Sequence, residues 1–345
     1  MNFTRESIFI SAIRKFCNTF AVILGVSVAI FVVLLGVGAM SNSINTPSKG
    51  DLTVSPDANW NRKLLADTTP VLLKIKMEGV IGTLDLRSEK IKNMLLDSRE
   101  GSLAGDRVKG IFIHMNTPGG VAIDGTNIYA LFKEYKEKYK VPIYVYVDGM
   151  CASAGIYISA AADQVYASAD SIVGSVGVRL GPLYNFSETL GKIGVTPLTL
   201  TEGKGKDALN PTRPWTEGES APIQKIMAAN YEEFVNVVTS ARKGLDKDKL
   251  VHEYGAKVFT SAEGAELGYI DRAGVSYNEA LAALAKAANV EESYQVLEIS
   301  PAHNFFQDLS ENKFQLLQGK FEPVLPLGPY MTTEMSGKIL FLYQP

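Results

Sequence analysis

From Phe20 to Met40 the chain runs 21 positions without a charged residue, and this stretch constrains the fold more than any other feature. As a helix rising 1.5 Å per residue it reaches about 31 Å, close to the roughly 30 Å hydrocarbon core of a bilayer. A cleaved signal peptide carries a shorter apolar run, roughly 7–15 residues. The length therefore predicts a retained transmembrane helix over 20–40, with a long signal sequence as the alternative. Cys17 precedes the run, which misplaces it for lipid attachment after signal cleavage. Arg5, Arg14 and Lys15 lie before the run, and the first basic residues after it are Lys49, Arg62 and Lys63. The positive-inside tendency puts residues 1–19 in the cytoplasm and everything after Met40 on the other face. In a bacterium this describes a single-pass protein of the inner membrane with a periplasmic or otherwise extracytoplasmic domain.

The residues beyond the span must bury a core of their own. The 345 residues are 46% hydrophobic and 21% charged, a balance that suits a packed domain. The net charge is −3 and no dense Lys/Arg stripe occurs, which argues against a nucleic-acid partner. The two cysteines, Cys17 and Cys151, sit in settings too different for a disulfide. His114, His252 and His303 are scattered, and no Cys/His cluster has zinc spacing, so neither a metal nor a cofactor is expected.

Residues 41–68 are polar, with Pro47, Gly50 and Pro56, and read as a linker. A domain over 69–290 then alternates strand and helix patterns. Strands are expected at Val71–Ile81, Gly110–Asn116, Val141–Val147, Gln164–Ala167, Ser175–Val178 and Thr196–Leu200. Helices are expected at Ser88–Leu96 (Ser88 capping), Asp124–Tyr139, Ser153–Ala162 and Glu219–Lys243. This alternation implies an α/β core with function at the strand ends. In the last of these helices Ile223, Ile226, Met227, Tyr231, Phe234, Val235 and Val238 recur at helical spacing and read as core. Residues 291–345 form an extension of open role, with a proline-rich stretch at Glu322–Tyr330 and an added strand at Lys338–Tyr343, placed to cover an edge or meet a partner.

Two strand ends carry possible chemistry. Asn116-Thr117-Pro118-Gly119-Gly120 leaves backbone N–H groups uncovered before a helix, which suits an oxyanion hole and equally an ordinary turn. Ser153 lies among small residues at the next strand-to-helix turn, as a nucleophile or simply as a helix cap. Cys151 is a rival nucleophile without an evident histidine partner. None of the histidines has the context of a base. Lys204 and Lys206, in Gly203-Lys204-Gly205-Lys206-Asp207, offer an alternative base or a solvated turn.

Taken together, NTPGG (116–120), ASAGIYIS (152–159), VGSVGV (173–178), GKGKD (203–207) and KVFTSAEGAELGYID (257–271) resemble, in order and spacing, the signal peptide peptidase A family of bacterial Ser–Lys proteases in its short, single-domain form. The resemblance implies a Clp protease/crotonase-like core of repeated β-β-α units. It implies Ser153 as nucleophile, Lys206 rather than Lys204 as general base, and Ser175 as the hydroxyl that orients the lysine. The backbone N–H groups of Gly120 and Ala154 would form the oxyanion hole. Ala154 stands where the family usually has glycine; it keeps the N–H, and its methyl narrows the pocket. The implied substrates are remnant signal peptides or other membrane-proximal peptides. Two other readings remain: a catalytically inactive peptide-binding scaffold and a crotonase-like acyl-CoA enzyme.

A lysine base must be desolvated. Its ordinary pKa is about 10.4 and a base near neutrality needs roughly 7–8. A drop of ~3 units costs about 4 kcal/mol, which burial can supply. A loop lysine between glycines is not buried by its own neighbours. The family resemblance implies rings whose protomers complete each other's sites, so a homo-oligomer with shared sites is expected.

Overall fold

The structure, a computed structural model, describes residues 8–42, 50–301 and 338–343. Helix α1 (Ile8–Asn42) contains the apolar stretch. Within it Ser11–Val33 is, by length and composition, long and apolar enough to cross a membrane. The expected proline-rich stretch at Glu322–Tyr330 and His303 lie outside the described residues.

The second unit is built on one mixed sheet. In chain order its elements are β1 (Asp51–Ser55), β2 (Val71–Glu78), α2 (Ser88–Asp97), β3 (Val108–Thr117), β4 (Gly119–Val121), α3 (Ala122–Tyr139), β5 (Ile143–Ala152) and α4 (Ala154–Ser159). Next come β6 (Gln164–Ala167), β7 (Ile172–Gly174), α5 (Ser187–Lys192), α6 (Ala221–Ala241), α7 (Lys247–Lys249), β8 (Val258–Thr260), α8 (Ser261–Glu266), α9 (Tyr277–Ala287), β9 (Gln295–Ser300) and β10 (Leu340–Leu342). The sheet order is β1-β9-β2-β3-β5-β7-β8, with β6 beside β5, and β4 pairs separately with β10. Strands β9, β2, β3, β5, β6 and β7 run parallel, while β1 and β8 close the edges antiparallel.

Strand periodicity divides the core in two. Successive side chains of a strand point to opposite faces. Leu73, Ile75 and Met77 of β2, with Ile111, Ile113 and Met115 of β3, join one cluster that includes Ile128 and Phe132 of α3 and Phe234 of α6. Leu72 and Phe112 point the other way and pack under Leu281 and Leu284 of α9. Both faces are thus covered, as parallel sheets require. Helix α9 opens on a reciprocal cap between Ser276 and Glu279.

Four local expectations change. Ser88 is the first residue of α2 rather than its cap: Arg87, extended at φ −79° and ψ 143°, holds the cap position, and the Ser88 N–H donates to Asp124 Oδ1 at 2.8 Å. The strand expected at 175–178 lies instead at 172–174, because Gly174 (φ 125°) and Ser175 (φ 59°) turn the chain away. No strand forms at Thr196–Leu200. Leu198 and Leu200 are exposed and no sheet edge meets them, and branched residues make strands only against a partner. Finally, β1 falls within the expected 41–68 linker and β9 beyond the expected boundary at 290. The sheet therefore recruits both flanks of the 69–290 segment.

Candidate active site

Ser153 stands between β5 and α4 at φ 54° and ψ −112°, a conformation L-residues rarely adopt. Its side chain is buried. Its N–H donates to the Gly174 carbonyl at 2.9 Å, and its own carbonyl accepts from the Tyr157 N–H at 3.1 Å. The residue occupies the cap position of α4, yet its hydroxyl makes no capping bond. The backbone holds the residue in place, and its hydroxyl takes no part in capping the helix. Ala154 opens α4, so its N–H belongs to the first turn that lacks an intrahelical partner.

The glycine-rich edge lies against this turn. At Gly119 (φ 97°) a side chain would begin 2.9 Å from both the Ala154 nitrogen and Ser153 Cβ, so only glycine fits. Gly120 is equally crowded: a Cβ there would lie 2.0 Å from the Ile81 carbonyl oxygen. Thr117 braces the turn by donating to the Gly79 carbonyl at 2.6 Å and accepting from the Gly119 N–H at 3.1 Å. Ser175 is nearby, one residue beyond the Gly174 that holds Ser153. It is buried, and its N–H donates to Lys257 O at 2.7 Å.

Lys206 is the residue not brought in. It lies exposed on a turn, its N–H donating to Gly203 O at 3.2 Å, and no hydrogen bond joins it to Ser153. Its loop is nonetheless anchored. Asp207 accepts from Arg213 Nε at 2.5 Å and from Asn210 Nδ2 at 2.6 Å, and Arg213 also binds Glu219. The guanidinium, with the Thr216 amide, lowers the Glu219 carboxyl to about 2. Sequence reasoning missed this network. The spacing Asp207, Arg213, Glu219 was its only trace.

The rival groups fall away. Cys151 is wholly buried, and burial pushes its thiol up to about 12, leaving almost no thiolate at neutral pH. His114 lies among Tyr146 and Tyr277 on the α9 face with Asp148 at 3.4 Å, and burial lowers its pKa. His252 is exposed on the turn after α7. Among the described residues no group of His, Cys, Asp and Glu could hold a metal.

The strand expected at Lys338–Tyr343 is present as β10, and sequence reasoning did not foresee its place. It pairs antiparallel with Gly119–Val121, along the edge of the site. The ring of Phe341 is buried, with ring centroids 5.6 Å from Tyr157 and 4.6 Å from Phe234.

A serine on a strand-to-helix turn beside a glycine-rich strand edge is the arrangement held by residues 94–171, and these match the sequence model of Clp protease. Residues 135–291 match that of Peptidase family S49. The motif resemblance is thereby borne out, and the mixed α/β sheet agrees with it. Among curated proteins the chain is 31% identical over 212 residues to "Putative signal peptide peptidase SppA" of Enterococcus faecium, covering 61% of this chain and 60% of that one. It is 34% identical over 196 residues to a "Putative protease" of Methanocaldococcus jannaschii, covering 57% and 60%. The chain thus spans about 60% of the length of these relatives. Among solved structures, a ClpP1 mutant from Listeria monocytogenes aligns at TM-score 0.41 and 17% identity, covering 60% of this chain and 94% of that one.

Proposed function

We propose that this chain is a membrane-anchored serine endopeptidase in which Ser153 is the nucleophile and Lys206 the general base. The observation that supports it best is the Ser153 hydroxyl, buried on a constrained turn and unused as a cap. Lys206 takes the hydroxyl proton and the oxygen attacks the peptide carbonyl. The N–H groups of Gly120 and Ala154 receive the oxyanion. Lys206 returns the proton to the leaving amine, and water activated by the same lysine releases the acyl group.

Exposure of Lys206 in the single protomer bears on assembly. A lysine in water stays protonated near neutral pH, so the base needs a covering surface. A second copy of the chain supplies it in this reading, with Lys206 serving the same or a neighbouring Ser153 while Ser175 orients the ammonium. The domains read as a cytoplasmic 1–19, a span over 20–40 and a catalytic domain in the periplasm. Substrates in this reading are remnant signal peptides and other membrane-proximal peptides, offered close to the bilayer by the anchor.

The test is peptidase assay of the purified full chain in detergent. Ser153→Ala and Lys206→Ala are each expected to lower kcat at least a thousandfold with the thermal transition unchanged. Full activity in either variant would sink the dyad.

A further inference from the structure

Strand β5 keeps β3 on one edge but changes its neighbour on the other. Tyr144, Val145, Tyr146 and Val147 pair with β6, and Met150, Cys151 and Ala152 pair with β7. The change falls where the ladder with β3 slips: Met115 stands opposite Val147, and Thr117 opposite Cys151. Asn116 alone therefore faces Asp148, Gly149 and Met150. This is a bulge of two extra residues in a parallel pair, where bulges are rare, and a bulge beside a functional site re-aims a side chain.

Two side chains hold the bulge. On the β3 side the Met150 N–H donates to Asn116 Oδ1 at 3.1 Å. On the other side the Gly149 N–H donates to Oγ of Ser171, the residue before β7, at 3.2 Å. Ser171 is buried, and its hydroxyl donates in turn to the Val147 carbonyl at 3.0 Å. One oxygen thus ties the last residue before the bulge to the middle of it. Gly149 (φ 114°) makes the room: a side chain there would begin 2.7 Å from Asn116 Oδ1.

The bulge decides what Ser153 meets. Without it Thr117 would pair with Gly149, and each later residue of β5 would advance two places, about 6.6 Å at roughly 3.3 Å per residue. Ser153 would then overshoot Gly119, the glycine it lies against: a Cβ at Gly119 would begin 2.9 Å from Ser153 Cβ and from the Ala154 nitrogen. A misplacement of about 1 Å can cost a hundredfold in rate. Asn116, the first residue of the NTPGG motif, thus has a task apart from the turn that follows it.

We propose that Asn116 and Ser171 are positioning residues: they hold the two-residue bulge of β5, and the bulge sets Ser153 against the glycine-rich edge. Both act through Ser153. Their effect on rate rests on the endopeptidase reading, whereas their effect on the Ser153 turn does not.

The experiment uses the purified full chain in detergent and three variants. Asn116→Asp keeps the oxygen acceptor, Asn116→Leu keeps the size without it, and Ser171→Ala removes the hydroxyl. Asn116→Leu and Ser171→Ala are each expected to lower kcat about a hundredfold with KM within threefold, and Asn116→Asp to bring kcat back to within fivefold of the starting chain. A role confined to stability would lower the thermal transition and leave kcat per folded molecule unchanged, and that result overturns the proposal. So does an Asn116→Asp chain as slow as Asn116→Leu. Asn116 is exposed, so its variants keep the comparison should Ser171→Ala fail to fold. Amide hydrogen exchange reads the bulge without reference to activity. The Gly149, Met150 and Ser153 amides are expected to exchange at least tenfold faster in Asn116→Leu than in the starting chain or in Asn116→Asp. Unchanged rates overturn the proposal. Faster exchange in that variant, together with a starting chain that cleaves no peptide, supports the positioning and counts against the peptidase reading.

Discussion

Ser153 carries its strain for a reason that can be measured. Backbone at φ 54° and ψ −112° costs a non-glycine residue about 1–3 kcal/mol, and only the surrounding structure holds it there. Ser153→Gly is expected to raise stability by about 1 kcal/mol in denaturant titration while abolishing peptidase activity. Ser153→Ala should leave stability near that of the starting chain. This opposition of stability and activity would not arise if Ser153 were only a helix cap, since removing a cap destabilises. The sequence placed Ser153 at a strand-to-helix turn through its small neighbours, and no local pattern could say whether its hydroxyl was engaged. Lys206 was separated from Lys204 by resemblance alone, because two lysines on one glycine-rich turn are chemically equivalent until a fold surrounds them.

The loop from Gly203 to Ser220 owes its form to Arg213 more than to secondary structure. Glu219 titrates near 2, below its ordinary 4.5, so the stability it lends is complete above about pH 4.5 and lost as pH falls toward 2. Limited proteolysis is expected to open this loop over that range, and in Arg213→Gln to open it already at neutral pH, with most of the sheet intact. A second anchor joins α6 to the end of α4. Buried Arg242 donates to Asp271 Oδ2 and to the Ser159 carbonyl, both at 2.7 Å. Arg242→Met leaves Asp271 without its cation and is expected to cost about 3 kcal/mol by denaturant titration. Elements whose periodicity faces a core were legible in the chain: β2, β3, β5 and α3 lie within a few residues of expectation, and α6 does so in its bounds, but of its expected core residues Phe234, Val235 and Val238 are buried while Ile226 is exposed. Thr196–Leu200 failed because branched residues alone do not supply a sheet edge. The shift to Ile172–Gly174 turned on the backbone angles of Gly174 and Ser175, which periodicity does not encode. The Arg213 network joins residues six apart in a segment between Lys192 and Ala221 where no helix or strand sets which side chains share a face.

At the scale of the whole molecule, a buried Ser153 and an exposed Lys206 make the assembly part of the proposed chemistry. If neighbouring copies share sites, mixing Ser153→Ala chains with Lys206→Ala chains is expected to restore a substantial fraction of the activity absent from either alone. Sites complete within one copy would leave the mixture inactive. The sheet and its two covered faces were legible as α/β alternation. The place of β10 was not, because it pairs residues more than two hundred positions apart and so leaves no local pattern. That pairing has a consequence for what the proposed peptidase can act on. A chain entering the cleft must offer its own N–H and C=O groups to Gly120, Ala122 and Arg179, and in a helix those groups are already bonded to one another. Each must be released, at about 1 kcal/mol net, before the strand can form. In the proposed endopeptidase the conformational state of a target, more than its sequence, then decides its fate: intact helices, including the proposed anchor, are spared, and segments that have lost their helical partners are taken.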